Sequence, residues 1–276
     1  MTGRGNPSSR GDPQSFWRLS GEELERLQAL AREADRVQLK LVVPESARDA
    51  TCAALGIDFA QARARRVYFL DTPDLELDRH GVVVRVRSIE RKPDDSVVKL
   101  RPLVPRGLPA ALRCSKRFVV EIDGMPGGYV CSGALKARLG PHAVERAVTG
   151  ERRLSALFSN RQSALLAGRG PGGMAIDDLK TFGPIDVRQH KIVPDGLGRA
   201  LAVERWAFPD GSQILELSMR SPPDQALPAA ARMAAVLMAH GIELTDRQRT
   251  KTRAALDFFS GRRPGATGLE SERAAA

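Results

Sequence analysis

The stretch VYFLDTPDLELDRHGVVVRVRSIERKPDDSVVKLRPL (67–103) reads as three β-strands in succession. VYFL (67–70) runs into a turn at Asp71–Thr72–Pro73–Asp74, and a second turn follows near Arg79–His80–Gly81. VVVRVRSI (82–89) and SVVKLRP (96–102) then form a hairpin across Lys92–Asp95, where Pro93 stops strand pairing. Successive side chains of a strand point to opposite faces, so Arg85 and Arg87 share one face, as do Lys99 and Arg101. Four cations on neighbouring strands repel one another. A solvated sheet face ordinarily mixes Thr, Ser, Gln, Glu and Lys, whereas this one is crowded with positive charge. A bound anion would relieve the crowding, and the planar fork of arginine suits phosphate oxygens.

The same rhythm extends to both sides. RVQLKLVV (36–43) sets Arg36, Gln38 and Lys40 against Val37, Leu39, Leu41 and Val43. KRFVVEID (116–123) offers Arg117 and Glu121, and IDVRQHKIV (185–193) offers Arg188 and His190. Residues 199–208, with Glu204, and QILELSMR (213–220), with Glu216, Ser218 and Arg220, are joined by Pro209–Asp210–Gly211, a hairpin turn signal. Helices are predicted after the Ser20/Glu23 capping box, at 45–55, across the interval 131–167, and as a final pair, ALPAAARMAAVLMAHG and TDRQRTKTRAALDFF. The fold class is α+β: an antiparallel barrel of about eight strands, with helices covering its apolar outside and a basic polar face turned into the lumen. The polar segments 1–15 and 260–276 read as disordered tails.

Composition narrows the chemistry. The formal charge of +10 attracts anions: nucleic acid, nucleotides, polyphosphate or acidic lipid. Cys52, Cys114 and Cys131 lack CxxC spacing, and His80, His142, His190 and His240 form no HxxxH pair, which argues against zinc and against a disulfide framework. No apolar run approaches the length of a membrane span, and the N-terminus has no secretory apolar segment, so a cytoplasmic protein without a membrane partner is expected. Gly170–Pro171–Gly172–Gly173 lacks the Lys-Ser/Thr of a phosphate loop, and Asp177–Asp178 reads as an acidic turn before a strand. Lys251 and Arg253, with Arg247 and Arg249, read as a solvated basic helix or, alternatively, a nucleic-acid contact.

Segment 67–103 resembles the central signature of the CYTH proteins, the triphosphate tunnel metalloenzymes. There a Y-F-D-T-P-like turn precedes a glycine, an L-R-V-R strand and a strand ending in a T-L-K-type lysine. The similarity continues in order through KRFVVEID, the hairpin from Glu204 to Arg220, and TKTRAAL, so that it spans most of 36–256. It implies a single tunnel domain over 16–259 with an N-terminal helix. It also implies a triphosphate, polyphosphate or nucleotide partner, and Mg²⁺ or Mn²⁺ as cofactor. By resemblance, Lys40, Arg85, Arg87, Lys99, Arg101, Arg117, Arg188 and Lys251 hold phosphates, Lys40 matching the lysine of the family's first-strand E-x-E-x-K motif.

The sequence departs from the family in its acids. Arg36 and Gln38 stand where the family has two glutamates, and Glu216–Ser218 replaces an E-x-E pair. Glu121 is retained, with Val119 expected in place of its acidic neighbour. Glu121 and Glu216 are thus the remaining metal ligands, or neutralise nearby arginines instead. Three readings follow: a metal-dependent triphosphate hydrolase, a non-catalytic polyphosphate- or nucleotide-binding module, and a basic nucleic-acid-binding protein.

Overall fold

A computed structural model describes residues 19–244 and 248–261. The segments expected as tails, 1–15 and nearly all of 260–276, lie outside the described residues, as does Arg247. Nine strands close into a barrel: β1 Arg36–Val43, β2 Arg63–Asp71, β3 Val82–Ile89, β4 Asp95–Leu100, β5 Phe118–Met125, β6 Gly128–Arg138, β7 Lys180–Ile192, β8 Leu201–Ala207 and β9 Gln213–Ser221. Around the ring they run β1-β5-β6-β4-β3-β2-β7-β8-β9. The helices are α1 Gly21–Ala31, α2 Arg48–Ala54, α3 Glu76–Arg79, α4 Ala110–Arg113, α5 Ala143–Val148, α6 Asn160–Ala167, α7 Ala226–Ala239 and α8 Lys251–Ser260. None of the helices is long and apolar enough to cross a membrane.

The α+β class and the closed barrel agree with the sequence reading; the strand count does not. About eight antiparallel strands were expected, and the ninth is β6, most of which overlaps the interval read as helical. Its Ala-Leu-Lys-Ala content favours a helix when isolated. Here pairing with β4 on one side and β5 on the other overrides that propensity. An odd number also dictates the direction of the seam. Strands alternating in direction around a closed ring cannot all be antiparallel when their number is odd, and β1 pairs with β5 in parallel.

The barrel is apolar outside and charged inside. Strand β1 alternates strictly, with Val37, Leu39, Leu41 and Val43 buried on the outer face. These join Val84, Val86, Ile122 and Leu217 from other strands in one cluster with Leu27 of α1, Val144 of α5, Leu166 of α6 and Met233 and Leu237 of α7. Each such side chain contributes roughly 1.5–3 kcal/mol by leaving water. The outer layer therefore supplies the hydrophobic core, which leaves the lumen available for charge. The predicted capping box starts α1: Glu23 N–H donates to Ser20 Oγ at 3.3 Å, and Ser20 N–H donates to Glu23 Oε2 at 2.8 Å.

One part of the interior is not polar. Val67, Phe69, Phe182, Ile185, Val187 and Trp206 form a second apolar cluster with Ala255 and Leu256 of α8. Helix α8 packs on this apolar end, and its first residues, with Thr250, face the cavity.

Candidate functional site

The lumen is a cavity of about 750 Å³. Among the described residues, fourteen lysines and arginines line it against four carboxylates, so its lining is strongly basic. Strand register decides how the cations meet. Arg85 lies opposite Phe69 and Val97, Lys99 opposite Val83 and Ala134, and Arg87 opposite Val67 and Asp95. The crowding expected among Arg85, Arg87, Lys99 and Arg101 is therefore relieved at most positions by apolar or acidic partners.

Three charge groups result. In the first, Asp123 is fully buried, with Lys40 Nζ at 2.5 Å, Lys99 Nζ at 2.7 Å and Arg101 Nη1 at 4.0 Å. Burial alone would raise its pKa, but the two lysines and Arg101 outweigh burial and hold it well below the usual carboxylate range. Glu121, beside it, ion-pairs with Arg36 and lies 3.9 Å from Lys99. Burial pushes the Lys99 ammonium below its ordinary pKa despite Asp123.

In the second, Glu204 and Glu216 face each other across β8 and β9. Lys251 of α8 reaches in between, in contact with Glu204 and 2.6 Å from Glu216 Oε1, with its ammonium 4.9 Å from the Trp206 ring centre. Gln189 Nε2 and Trp206 Nε1 donate to Glu204 at 2.6 and 3.1 Å. Burial would raise the Glu204 pKa, and Lys251 brings it well below normal. Burial lowers the Lys251 pKa, and Glu204 with Glu216 more than reverses this, leaving it raised.

The third group centres on Asp95, which accepts a bidentate pair from Arg87 Nε and Nη2, each at 2.7 Å, with Lys136 Nζ at 2.9 Å. Burial opposes ionisation of Asp95, yet Arg87 and Lys136 lower its pKa to about 2. This predicts an acid-labile contribution to stability. An unfolded aspartate titrates near pH 4. Between that value and about 2 the unfolded chain takes up a proton that the folded chain refuses, so stability falls as pH falls. The loss should reach about 2 kcal/mol by pH 2. Denaturant unfolding of wild type and Asp95→Asn between pH 5 and pH 2 checks it, the variant showing the shallower decline.

Arg85 stands apart. Its buried Nε has no hydrogen-bond partner among the described residues. None of the described carboxylates lies within ion-pair distance; Asp95 and Glu204 act only from farther off. Burial foremost, then Arg87, lowers its pKa to about 10.

Of the phosphate-holding residues expected from the resemblance, Lys40, Arg85, Arg87, Lys99, Arg101 and Lys251 line this one cavity. Arg117 and Arg188 do not, and the expectation is corrected for both. Arg117 is exposed just ahead of β5. On β7 the alternate residues Val187, Gln189 and Lys191 line the cavity, and Arg188 is exposed on the other face. The reading of polarity failed there because β7 turns Ile185 and Val187 towards the apolar cluster. The expected acidic neighbour of Glu121 is also corrected: Asp123, two residues on, supplies it, forming an E-x-D pair. Asp123, Arg65 and Asp95 join these charge groups though the sequence reading assigns none of them to the polar strand faces, whereas Glu204 is among the polar residues read there. For Asp123 the signal was its strand parity with Glu121.

A hard divalent cation needs several free oxygen ligands. Glu121 and Glu216 line the lumen on different strands, and each is already held by a cation. No group of three or more His, Cys, Asp or Glu among the described residues is arranged to hold a metal. The donor set therefore does not fit an independent Mg²⁺ or Mn²⁺ site. The described cations of the basic helix expected around residue 251 are each paired with a carboxylate. Lys251 is largely shielded within the lumen, Arg253 Nη1 lies 2.6 Å from Asp78, and Arg249 and Arg253 both pair with Asp257.

No protein-family model matches the chain, and no curated protein matches it. Several solved structures do, two of them as follows. A candidate adenylyl cyclase from Hippeastrum, described as having a dominant triphosphatase activity, aligns over 84% of this chain and 98% of its own, with TM-score 0.58 and 15% identity. A candidate adenylate cyclase from Bacillus halodurans aligns over 80% of this chain and 97% of its own, with TM-score 0.55 and 14% identity. Likeness at this level of identity is a likeness of fold, and the chain has the closed-tunnel fold of these CYTH-type cyclase and triphosphatase structures.

Proposed function

We propose that the lumen binds a triphosphate- or polyphosphate-type anion, with Arg85 as its central ligand and Lys40, Arg65, Arg87, Lys99, Arg101 and Lys251 around it. One observation carries the reading: Arg85 is half-buried with its Nε shielded from water, is flanked by further cations, and has no hydrogen-bonded or ion-paired carboxylate among the described residues. Burying an unpaired charge is costly, and that cost is recovered when an anion completes the site. Charge-assisted bonds from guanidinium to phosphate are short and about twice as strong as neutral ones. The exposed Arg63, Lys92, Lys191 and Arg220 line the same cavity and would steer a polyanion inward. The triphosphatase activity described for the Hippeastrum protein is compatible with this ligand class. A chain of linked phosphates suits cations distributed through a cavity of this size better than a single phosphate does.

Calorimetric titration with tripolyphosphate, ATP and inorganic phosphate tests the proposal. Tripolyphosphate and ATP should bind in the micromolar range or tighter. Inorganic phosphate should bind at least about 100-fold more weakly, because it forms fewer charge-assisted hydrogen bonds and each is worth about 1.5–3 kcal/mol. Phosphate release measured on the same samples, with Mg²⁺ or Mn²⁺ and with chelator, decides whether the bound anion is also hydrolysed. Equal weak binding of all three ligands would reject the reading. Duplex DNA binding that is unaffected by Arg85→Met would replace it with the nucleic-acid one.

A further inference from the structure

We propose that Lys251 takes the place of a divalent cation in this tunnel: its ammonium is a resident counter-charge between Glu204 and Glu216, and the oligophosphate is taken up free of metal. The inference rests on the anion-binding reading above and adds to it the form in which the anion enters.

Two glutamates directly opposite on neighbouring strands repel each other unless a cation lies between them. Here that cation is covalently tethered. Lys251 contacts both carboxylates and sits over the Trp206 face. The side chains of all three charged residues are largely shielded from water. The tether is also anchored: Ala255 and Leu256, one turn further along α8, are buried in the apolar cluster, and Arg253 is tied to Asp78. A metal ion would have to displace an ammonium held at both carboxylates, close to Arg65, which lies 3.5 Å from Glu204. The other acidic group offers no vacancy, because Asp123 is held by Lys40 and Lys99, and Glu121 by Arg36. Arg36 and Gln38, the residues that break the family's acidic first strand, line the same cavity. The absence of acids at Arg36 and Gln38 on β1 and the ammonium of Lys251 between the acids of β8 and β9 act in one direction. Both leave the lumen attractive to an uncomplexed polyanion. Excess Mg²⁺, which binds tripolyphosphate in solution and reduces its charge, should therefore compete with the protein for the ligand.

Calorimetric titration of the full chain with tripolyphosphate, in EDTA and in excess MgCl₂, is the first test. Binding undiminished in EDTA and weakened about tenfold or more in Mg²⁺ is expected, an effect of the order of one charge-assisted hydrogen bond. Binding that requires Mg²⁺ would overturn the inference while leaving the anion reading intact. Absence of binding in both buffers would overturn the anion reading itself. The second test follows free Mn²⁺ by electron paramagnetic resonance without phosphate. Wild type should leave the signal unchanged, whereas Lys251→Met, which frees Glu204 and Glu216, should remove about one equivalent. Mn²⁺ uptake by wild type, or a folded Lys251→Met that takes up none, refutes the resident-cation role. Should that variant not fold, the two titrations and the wild-type Mn²⁺ measurement still decide.

Discussion

Arg85→Met is expected to weaken tripolyphosphate binding about 100-fold, on the order of 3 kcal/mol, while the unliganded protein melts no lower than wild type. The two halves of this result have one cause. A buried residue ordinarily contributes to stability through its partners, and truncating it leaves them unsatisfied. Arg85 has no hydrogen-bonded or ion-paired partner among the described residues, so removing its charge strands nothing. Methionine keeps most of the aliphatic stem against Phe69 and Val97, which face the same side from the neighbouring strands. Repulsion from Arg87 and Arg65 also disappears, and with it the desolvation that lowers the Arg85 pKa. Arg87→Met is the contrasting control. It breaks a bidentate bond to a buried carboxylate and should cost stability even without ligand. Calorimetry and thermal unfolding on both variants provide the comparison. If Arg85→Met binds tripolyphosphate like wild type, Arg85 is not the ligand's central contact and the proposed function loses its main support.

Much of this arrangement could be read from the chain because strand alternation is a local property. On β1, β3 and β4 the charged residues recur at alternate positions among mostly aliphatic ones, so the inner and outer faces separate without knowledge of the fold. The scarcity of acids on β1 was equally legible, since Arg36 and Gln38 occupy consecutive inward positions. What depends on partners was not. Strand β6 has the composition of a helix and becomes a strand only between β4 and β5. The parallel seam follows from an odd strand count, which was hidden once β6 was missed. Arg188 was placed on the wrong face because polarity stops marking the lumen where α8 and the aromatic cluster enter it. Glu204 was visible as a polar residue, but its role depends on a lysine 47 residues away in sequence. Asp123 closes a strand motif, and its weight became apparent only when Lys40 and Lys99 converged on it from β1 and β4.

That convergence makes Asp123→Asn the most destabilising single change expected in the tunnel. Asp123 has no exposed surface and is the shared counter-charge of Lys40, Lys99 and Arg101. Asparagine preserves shape and one hydrogen-bond acceptor, so the substitution removes charge with little change in packing. Removing one partner of a buried ionic group typically costs 3–5 kcal/mol, and roughly that loss should appear in denaturant unfolding. The variant also separates structural charge from ligand-binding charge. If the cations around Asp123 face the bound oligophosphate, the ligand supplies what the substitution removed. Tripolyphosphate should then bind Asp123→Asn more tightly than wild type. Because a ligand stabilises the folded state by RT ln(1 + [L]/Kd), it should also raise the variant's Tm by more degrees than it raises that of wild type. Parallel thermal unfolding with increasing tripolyphosphate measures both effects. Equal Tm gains in the two proteins would mean that the Asp123 cluster is a structural ion network separate from the anion, and the ligand would then be assigned to Arg85 and the Lys251 side of the lumen alone.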